Sequence, residues 1–329
     1  MRNTTRGLLA LGTLLTGTTL GAQRTGCHPT LAPRSSSGGP QIADTSYRYR
    51  IASPAFAPGA GPAVLLDEAH ANFHTVDGRY APFATLLRGD GFVVRPSRTR
   101  FTAATLAGVR LLVIANALAE QHRQGSNWVL PAASAFTADE IRALRQWVEQ
   151  GGALLLIADH MPFGGDAADL ARAFGIEMLN GFATDAACAA DEFLFQRADS
   201  TLGDHVITRG RNAAERIDAV RSFTGQAFRV RGNAQSVLRV PRGTTVLMPQ
   251  RAWAFSDSTP VVRGDDLSQG AVLTVGRGRV AVFGEAAMFS AQVSGTERRP
   301  MGMNAPNASQ NPQFLLNVMR WLAGALPAR

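Results

Sequence analysis

Short apolar runs recur along the chain, each ending in a burst of polar residues, with helical spacings between them. Val64, Leu65 and Leu66 run into Asp67, Glu68, His70, Asn72 and His74. Residues 153–158 read Ala-Leu-Leu-Leu-Ile-Ala before Asp159 and His160, and 280–283 read Val-Ala-Val-Phe before Gly284 and Glu285. Unbroken apolar runs of this length predict strands buried on both faces, as in a parallel sheet. Strands are expected at 63–66, 91–95, 109–115, 153–158, 176–179 and 280–283, with an edge strand at 47–51. Helices are expected at 82–88, 102–107, 137–150, 167–174 and 313–322. Helix 137–150 has the fullest signals. Thr137 with Glu140 three residues later forms a capping box, Ile141, Leu144 and Val148 share a face, and Gly151 and Gly152 stop it.

Strands alternating with helices predict an α/β fold with a doubly wound, mostly parallel, flavodoxin-like sheet. The stretch 217–283 departs from that rhythm. Short runs at 227–230, 236–240, 245–248 and 271–275 predict an added antiparallel β segment, and Gly276 to Arg279 reads as a hairpin turn. The expected organisation is one domain over 46–329 with a β-rich insertion at 217–275.

Ligands of open parallel sheets bind beyond the carboxyl ends of the strands, so the polar bursts mark a candidate crevice. Carboxylates and histidines gathered there suit a divalent metal or general acid–base work. Asp67, His70 and His160 are the candidate metal ligands. Glu285 is the candidate general base, with Asp159 beside it, and Asn72, His74 and Asn116 are candidate ligand contacts. His70 and His74 reach one ion only if a helical turn starts at once, because on an extended chain they stand about 13 Å apart at about 3.3 Å per residue. Glu68 and Glu285 are the candidate pair for a metal-free glycosidase, which needs carboxyl groups about 5 to 9.5 Å apart. Glu120 and His122 are expected on the rim, and Asp166 as a helix cap. The plainer alternative is that Asp67 or Glu68 caps a turn and the histidines bond loop backbone, in a catalytically inactive ligand- or partner-binding module.

Composition removes several chemistries. All 33 basic residues are arginine and the formal charge is +8, so a Schiff-base lysine and a Walker lysine are excluded. The arginines are scattered, which gives nucleic acid no footprint. The chain has no G-x-S-x-G elbow, no G-x-G-x-x-G between a strand and a helix, and no C-x-x-C pair. Residues 1–22 have the basic start, apolar run and small-residue cleavage site of a signal peptide, and 23–45 reads as a linker. No apolar run approaches the roughly 20 residues of a membrane span. An exported protein, periplasmic or extracellular, is therefore expected, with a small polar or glycan ligand or an envelope protein as its partner. Arg24 stands where a lipoprotein signal wants an aliphatic residue before Cys27, which argues against lipid anchoring. Pairing of Cys27 with Cys188 is left open.

The run from Asp67 to His74, the run 151–165 ending Ala-Asp-His-Met-Pro-Phe-Gly-Gly, and the run 278–292 ending Gly-Glu-Ala-Ala-Met-Phe-Ser-Ala-Gln are distinctive together. With Asn311 to Asn317 and Trp321, they resemble a bacterial family of uncharacterised domains with the class I glutamine amidotransferase-like fold. The resemblance spans about 63–324 and implies that fold. True amidotransferases carry a cysteine on the turn after a central strand, with a later histidine and glutamate. Asp159 and His160 occupy the corresponding strand end here, and Cys188 lies well beyond it, so glutamine hydrolysis is not implied. Similar domains in gliding and ciliary transport proteins look like interaction modules.

Overall fold

A computed structural model describes residues 40–123, 127–186, 188 and 190–328. The architecture is mixed α/β, with a nine-stranded mixed sheet and three smaller antiparallel sheets. Five parallel strands run side by side in the order Val93–Ser97, Ala63–Asp67, Leu111–Ala115, Ala153–Ile157, Gly278–Phe283. Their register is level: Ala115 pairs with Ile157, which pairs with Phe283. The residues that follow therefore emerge along one edge, and these are Asn116, Asp159 and Glu285, with Asp67 closing its own strand.

Side-chain alternation explains why the strands read as apolar throughout. Val64, Leu66, Val113, Leu155 and Phe283 pack on Phe83 and Leu87 of helix Ala81–Gly89 and on Phe314 and Val318 of helix Asn311–Leu322. Leu112, Leu154, Leu156, Val280 and Val282 face the other way, onto Leu144, Trp147 and Val148 of helix Ala138–Glu149. With both faces covered, strands Leu111–Ala115 and Ala153–Ile157 are buried and apolar at every position. The capping box forms as expected: Thr137 Oγ1 accepts from Glu140 N, and Glu140 Oε2 accepts from Thr137 N. The closing helix is pinned by Arg320, fully buried between Asp90 and Glu215.

The expected antiparallel β segment is present and largely extends the main sheet: Leu267–Val275 pairs antiparallel with Gly278–Phe283, and Phe228–Val230 and Gln235–Arg239 pair with it in turn. Three expectations need correction. Segment 102–107 forms turns, because Thr102 and Thr105 each accept the other's backbone N–H on a hydroxyl, an alternative to helical bonding. Segment 47–51 forms no strand; the edge strand is Ile42–Ala43, against Ala291–Ser294. The 167–174 helix is split into Phe163–Asp166 and Ala168–Arg172. The expected signal peptide over 1–22, and the expected linker up to residue 39, lie outside the described residues. No helix among the described residues is long and apolar enough to cross a membrane.

Candidate functional site

Two acid–histidine pairs stand at the strand ends, and they differ in what surrounds them. Asp67 is fully buried and binds His70 Nδ1 through both carboxylate oxygens, at 2.8 and 3.0 Å. His70 Nε2 meets Glu140 Oε1 at 2.9 Å, so the ring is held between two carboxylates and between the rings of Phe101 and Phe136. Burial works against the imidazolium, but Asp67 and Glu140 outweigh it and raise the His70 pKa. Glu140 is penalised by burial and more than repaid by Thr137 and His70, which hold it down at about 2. This cluster is saturated and does not line the pocket described below.

Asp159 and His160 face that pocket, a cavity of about 560 Å³. Asp159 Oδ1 accepts from His160 N at 2.8 Å, and Asn116 Oδ1 accepts from Asp159 N at 3.0 Å. Gln226, fully buried, donates from Nε2 to the Ala158 and Asp159 carbonyls and braces the strand end. The His160 ring stacks on Phe182 at 4.7 Å and 15° and meets Trp253 edge-on at 4.7 Å. Its Nδ1 contacts the Met161 carbonyl at 2.7 Å, which fixes Nδ1–H as the donor of that bond.

Glu285 lies behind this floor, fully buried where Asp159 is 8 % exposed, so only Asp159 of the two opens to the cavity. Its carboxylate accepts from Ala287 N and Met288 N at 2.5 and 2.8 Å, and from the Phe223 backbone. The chain carrying Phe223 passes so close that a Cβ on Gly225 would lie 2.4 Å from the Gly284 carbonyl, which is why glycine stands there. Burial and the nearby Asp159 charge push Glu285 well above the ordinary carboxylate range. Burial also raises Asp159, against the His160 charge and the amides that favour its carboxylate.

Aromatic side chains wall the cavity: Phe73, Trp128, Phe163 and Trp253 line it together with His74 and Asn116. His74 is buried and pushed down to about 3 by desolvation, then by Arg79 and His160, so its ring is neutral. Its ring edge meets Tyr80 at 4.5 Å.

The proposed residues therefore divide. Asp159, His160, His74 and Asn116 come together in the pocket, with Glu285 behind it. Asn72 instead ties its turn, accepting from His70 N and donating to the Ala115 carbonyl. Glu68 accepts from Val76 N and pairs with Arg98, so it does not join Glu285 as a glycosidase pair. The proposed ligand set of Asp67, His70 and His160 is not assembled, because the first two are closed in with Glu140. Among the described residues, no group of three acidic, histidine or cysteine side chains is arranged to hold a metal. His122 is buried on Asp166 rather than on the rim, and Asp166 holds it instead of capping a helix. That bond supports the pocket, since Trp128 Nε1 donates to the His122 carbonyl. Glu120 is exposed beside Arg123. Cys188 is fully buried and disulfide-bonded; the chain's other cysteine, Cys27, lies outside the described residues.

The aromatic walls escaped the motif reading. Their signal was available: Trp147 and Trp321 lie on helix faces, whereas Trp128 and Trp253 interrupt loops where no core pattern calls for them.

No family model matches the chain, and no curated protein matches it. Solved structures do. The N-terminal domain of mmIFT52 is 17% identical, with a TM-score of 0.53, over 79% of this chain and 97% of that one. A putative ThuA-like protein from Bacteroides uniformis is 11% identical with a TM-score of 0.44, covering 85% of this chain and 96% of its own. Another from Parabacteroides merdae is 13% identical with a TM-score of 0.46, covering 80% and 91%. Structural neighbours thus include ThuA-like proteins, of class I glutamine amidotransferase-like fold. Identities this low speak to the fold alone.

Proposed function

We propose that the chain is an exported α/β domain that binds a glycan-sized polar ligand in the strand-end pocket. The observation that carries this reading is the joining, in one cavity of about 560 Å³, of aromatic walls with a few converging polar groups, Asp159, His160, His74 and Asn116. Pockets for small ligands have this composition: flat apolar surfaces supply contact area, and placed hydrogen-bonding groups fix orientation. A sugar presents both halves, C–H faces for the rings and hydroxyls for Asp159 and Asn116. The 2-1-3-4-5 order of the parallel strands supports the finer reading of the fold, flavodoxin-like and class I amidotransferase-like, whose ligands lie at such strand ends. The disulfide at Cys188 supports export, since such bonds persist in oxidising compartments.

A second reading, hydrolysis of that ligand, is favoured by the presence of both Asp159 and His160 in the cavity lining, two groups of the kind that carry general acid–base work. One experiment separates the two. Tryptophan fluorescence and calorimetry with a panel of hexoses and disaccharides should give saturable binding with Kd between about 1 μM and about 1 mM. Trp253→Ala and Asp159→Asn should each weaken it about tenfold or more. Release of reducing ends that His160→Ala abolishes selects hydrolysis; binding without turnover selects the module. Wild-type protein that binds no member of the panel sinks both.

A further inference from the structure

The pocket is lined by more acid than base. Among the described residues of its lining, Asp159, Asp191 and Glu192 carry carboxylates, and Arg299 carries a guanidinium. Arg221 pairs with Glu192 from outside the lining, and Arg299 pairs with Glu297 at 2.6 Å. Asp159 and Asp191 are both buried. His160 N donates to Asp159 at 2.8 Å, and Thr224 Oγ1 donates to Asp191 at 2.8 Å. Neutral donors of this kind orient a carboxylate without cancelling its charge. Burial makes that charge costly, as the raised pKa of Asp159 records, and the cost falls when a cation arrives.

The segment from Phe223 to Gln226 ties both acids to one side of the cavity. Thr224 holds Asp191, the Phe223 backbone donates to Glu285 behind Asp159, and Gln226 Nε2 donates to the Asp159 carbonyl at 3.1 Å. Aromatic rings gather on the same side. His160, next to Asp159 in the chain, has its ring centroid 4.7 Å from that of Trp253 and 6.3 Å from that of Trp128. Trp128 in turn meets Phe163 at 5.2 Å and 69°. Phe73 is already engaged, because the Arg79 guanidinium lies over its ring at 3.8 Å, and a second cation there would be repelled. Tryptophan rings beside carboxylates suit an organic cation: the ring faces attract it and the acids balance its charge.

Building on the glycan reading above, we propose that the ligand is an amino sugar whose protonated amine is received on the Asp159 and Asp191 side of the pocket, beside Trp128 and Trp253. An ammonium group has three N–H donors and no acceptor, and ionised carboxylates only accept, so the two match without a competing donor. An N-acetyl group in the same place keeps the nitrogen and loses the charge, which makes it the closest decoy.

The test is calorimetric titration of the wild-type protein at about pH 6, where an amine is protonated. Glucosamine and galactosamine are compared with glucose and galactose, with N-acetylglucosamine and choline as further probes. Each amino sugar is expected to bind about tenfold or more tightly than its neutral counterpart, and glucosamine to exceed N-acetylglucosamine by a similar factor. Asp191→Asn should bring the members of each pair within about threefold of each other, and thermal unfolding checks that this variant is folded. The wild-type comparison stands without any variant. Equal affinity for amino sugars and neutral hexoses overturns the ammonium seat and leaves the glycan pocket standing. N-acetylglucosamine binding as tightly as glucosamine overturns the role of charge. Binding by neither sugar series overturns both readings, and a preference for choline over every sugar overturns the choice of a sugar amine.

Discussion

Asp67 with His70, and Asp159 with His160, are the same two residue types at the ends of parallel strands of one sheet, yet they have opposite characters. The first pair is closed by a third group: Glu140 arrives from the opposite helix terminus and takes the remaining nitrogen of His70. Among the described residues no side chain closes the second pair in this way. The His160 ring turns into aromatic side chains, with Nδ1 on the Met161 carbonyl, and Asp159 stays partly open to the cavity. A polar burst after a strand is thus not yet a site. What distinguishes the two is whether the partners available in the fold exhaust the hydrogen-bonding capacity of the group.

The largest expected effect comes from breaking the closed pair. His70→Ala leaves the Asp67 and Glu140 carboxylates facing each other without the ring between them, and should cost about 3–5 kcal/mol, the range for stripping one partner from a buried ionic cluster. His160→Ala removes ring contacts and no buried charge partner, and should cost about 1–2 kcal/mol while weakening ligand binding. Urea denaturation of both variants decides. Equal losses would erase the distinction between a structural and a functional pair.

Much of the architecture was legible because burial on two faces writes itself plainly, as in Leu154, Leu155 and Leu156. The capping box at Thr137 and Glu140 was equally local and equally readable. The second task of Glu140 was not, because its contact with His70 joins positions seventy residues apart through the packing of a helix on a sheet. The strands Ala291–Ser294 and Arg299–Gly302 were missed for a related reason: Arg299 and Pro300 carry no alternating pattern, and pairing with a neighbour is what extends them. The site divides in the same way. Its floor follows from strand ends, which register aligns. Its walls, Trp128 and Trp253, come from loops whose positions depend on remote ties such as His122 to Asp166.

The open pair should also reveal itself through a gain. Burial raises the Asp159 pKa, so its ionised form opposes folding. A carboxyl group whose folded pKa exceeds the unfolded one favours the folded state fully below the unfolded value, near 3.8, and loses that contribution as pH climbs through the folded value. Asp159→Asn should therefore leave the protein as stable or more stable by about 1 kcal/mol at neutral pH, while ligand affinity falls. Asp67→Asn, which breaks a satisfied pair, should destabilise. Chemical denaturation beside binding titration reads both, and a marked loss of stability in Asp159→Asn would return that residue to a structural role.

The smallest effect is the pH dependence that the closed pair contributes. The folded His70 pKa is raised, so its stabilising contribution is complete below the unfolded value of 6.5 and is lost as pH rises through the folded one. Glu140 acts at the other end, its contribution present above 4.5 and lost as pH falls through about 2. His74, held near 3, is neutral throughout the range between. The His70 contribution to the unfolding free energy should thus decline as pH rises above 6.5, and His70→Gln, which cannot titrate, should flatten that decline relative to the wild type. If the slope persists in His70→Gln, the charge between Asp67 and Glu140 is not what the fold is storing there.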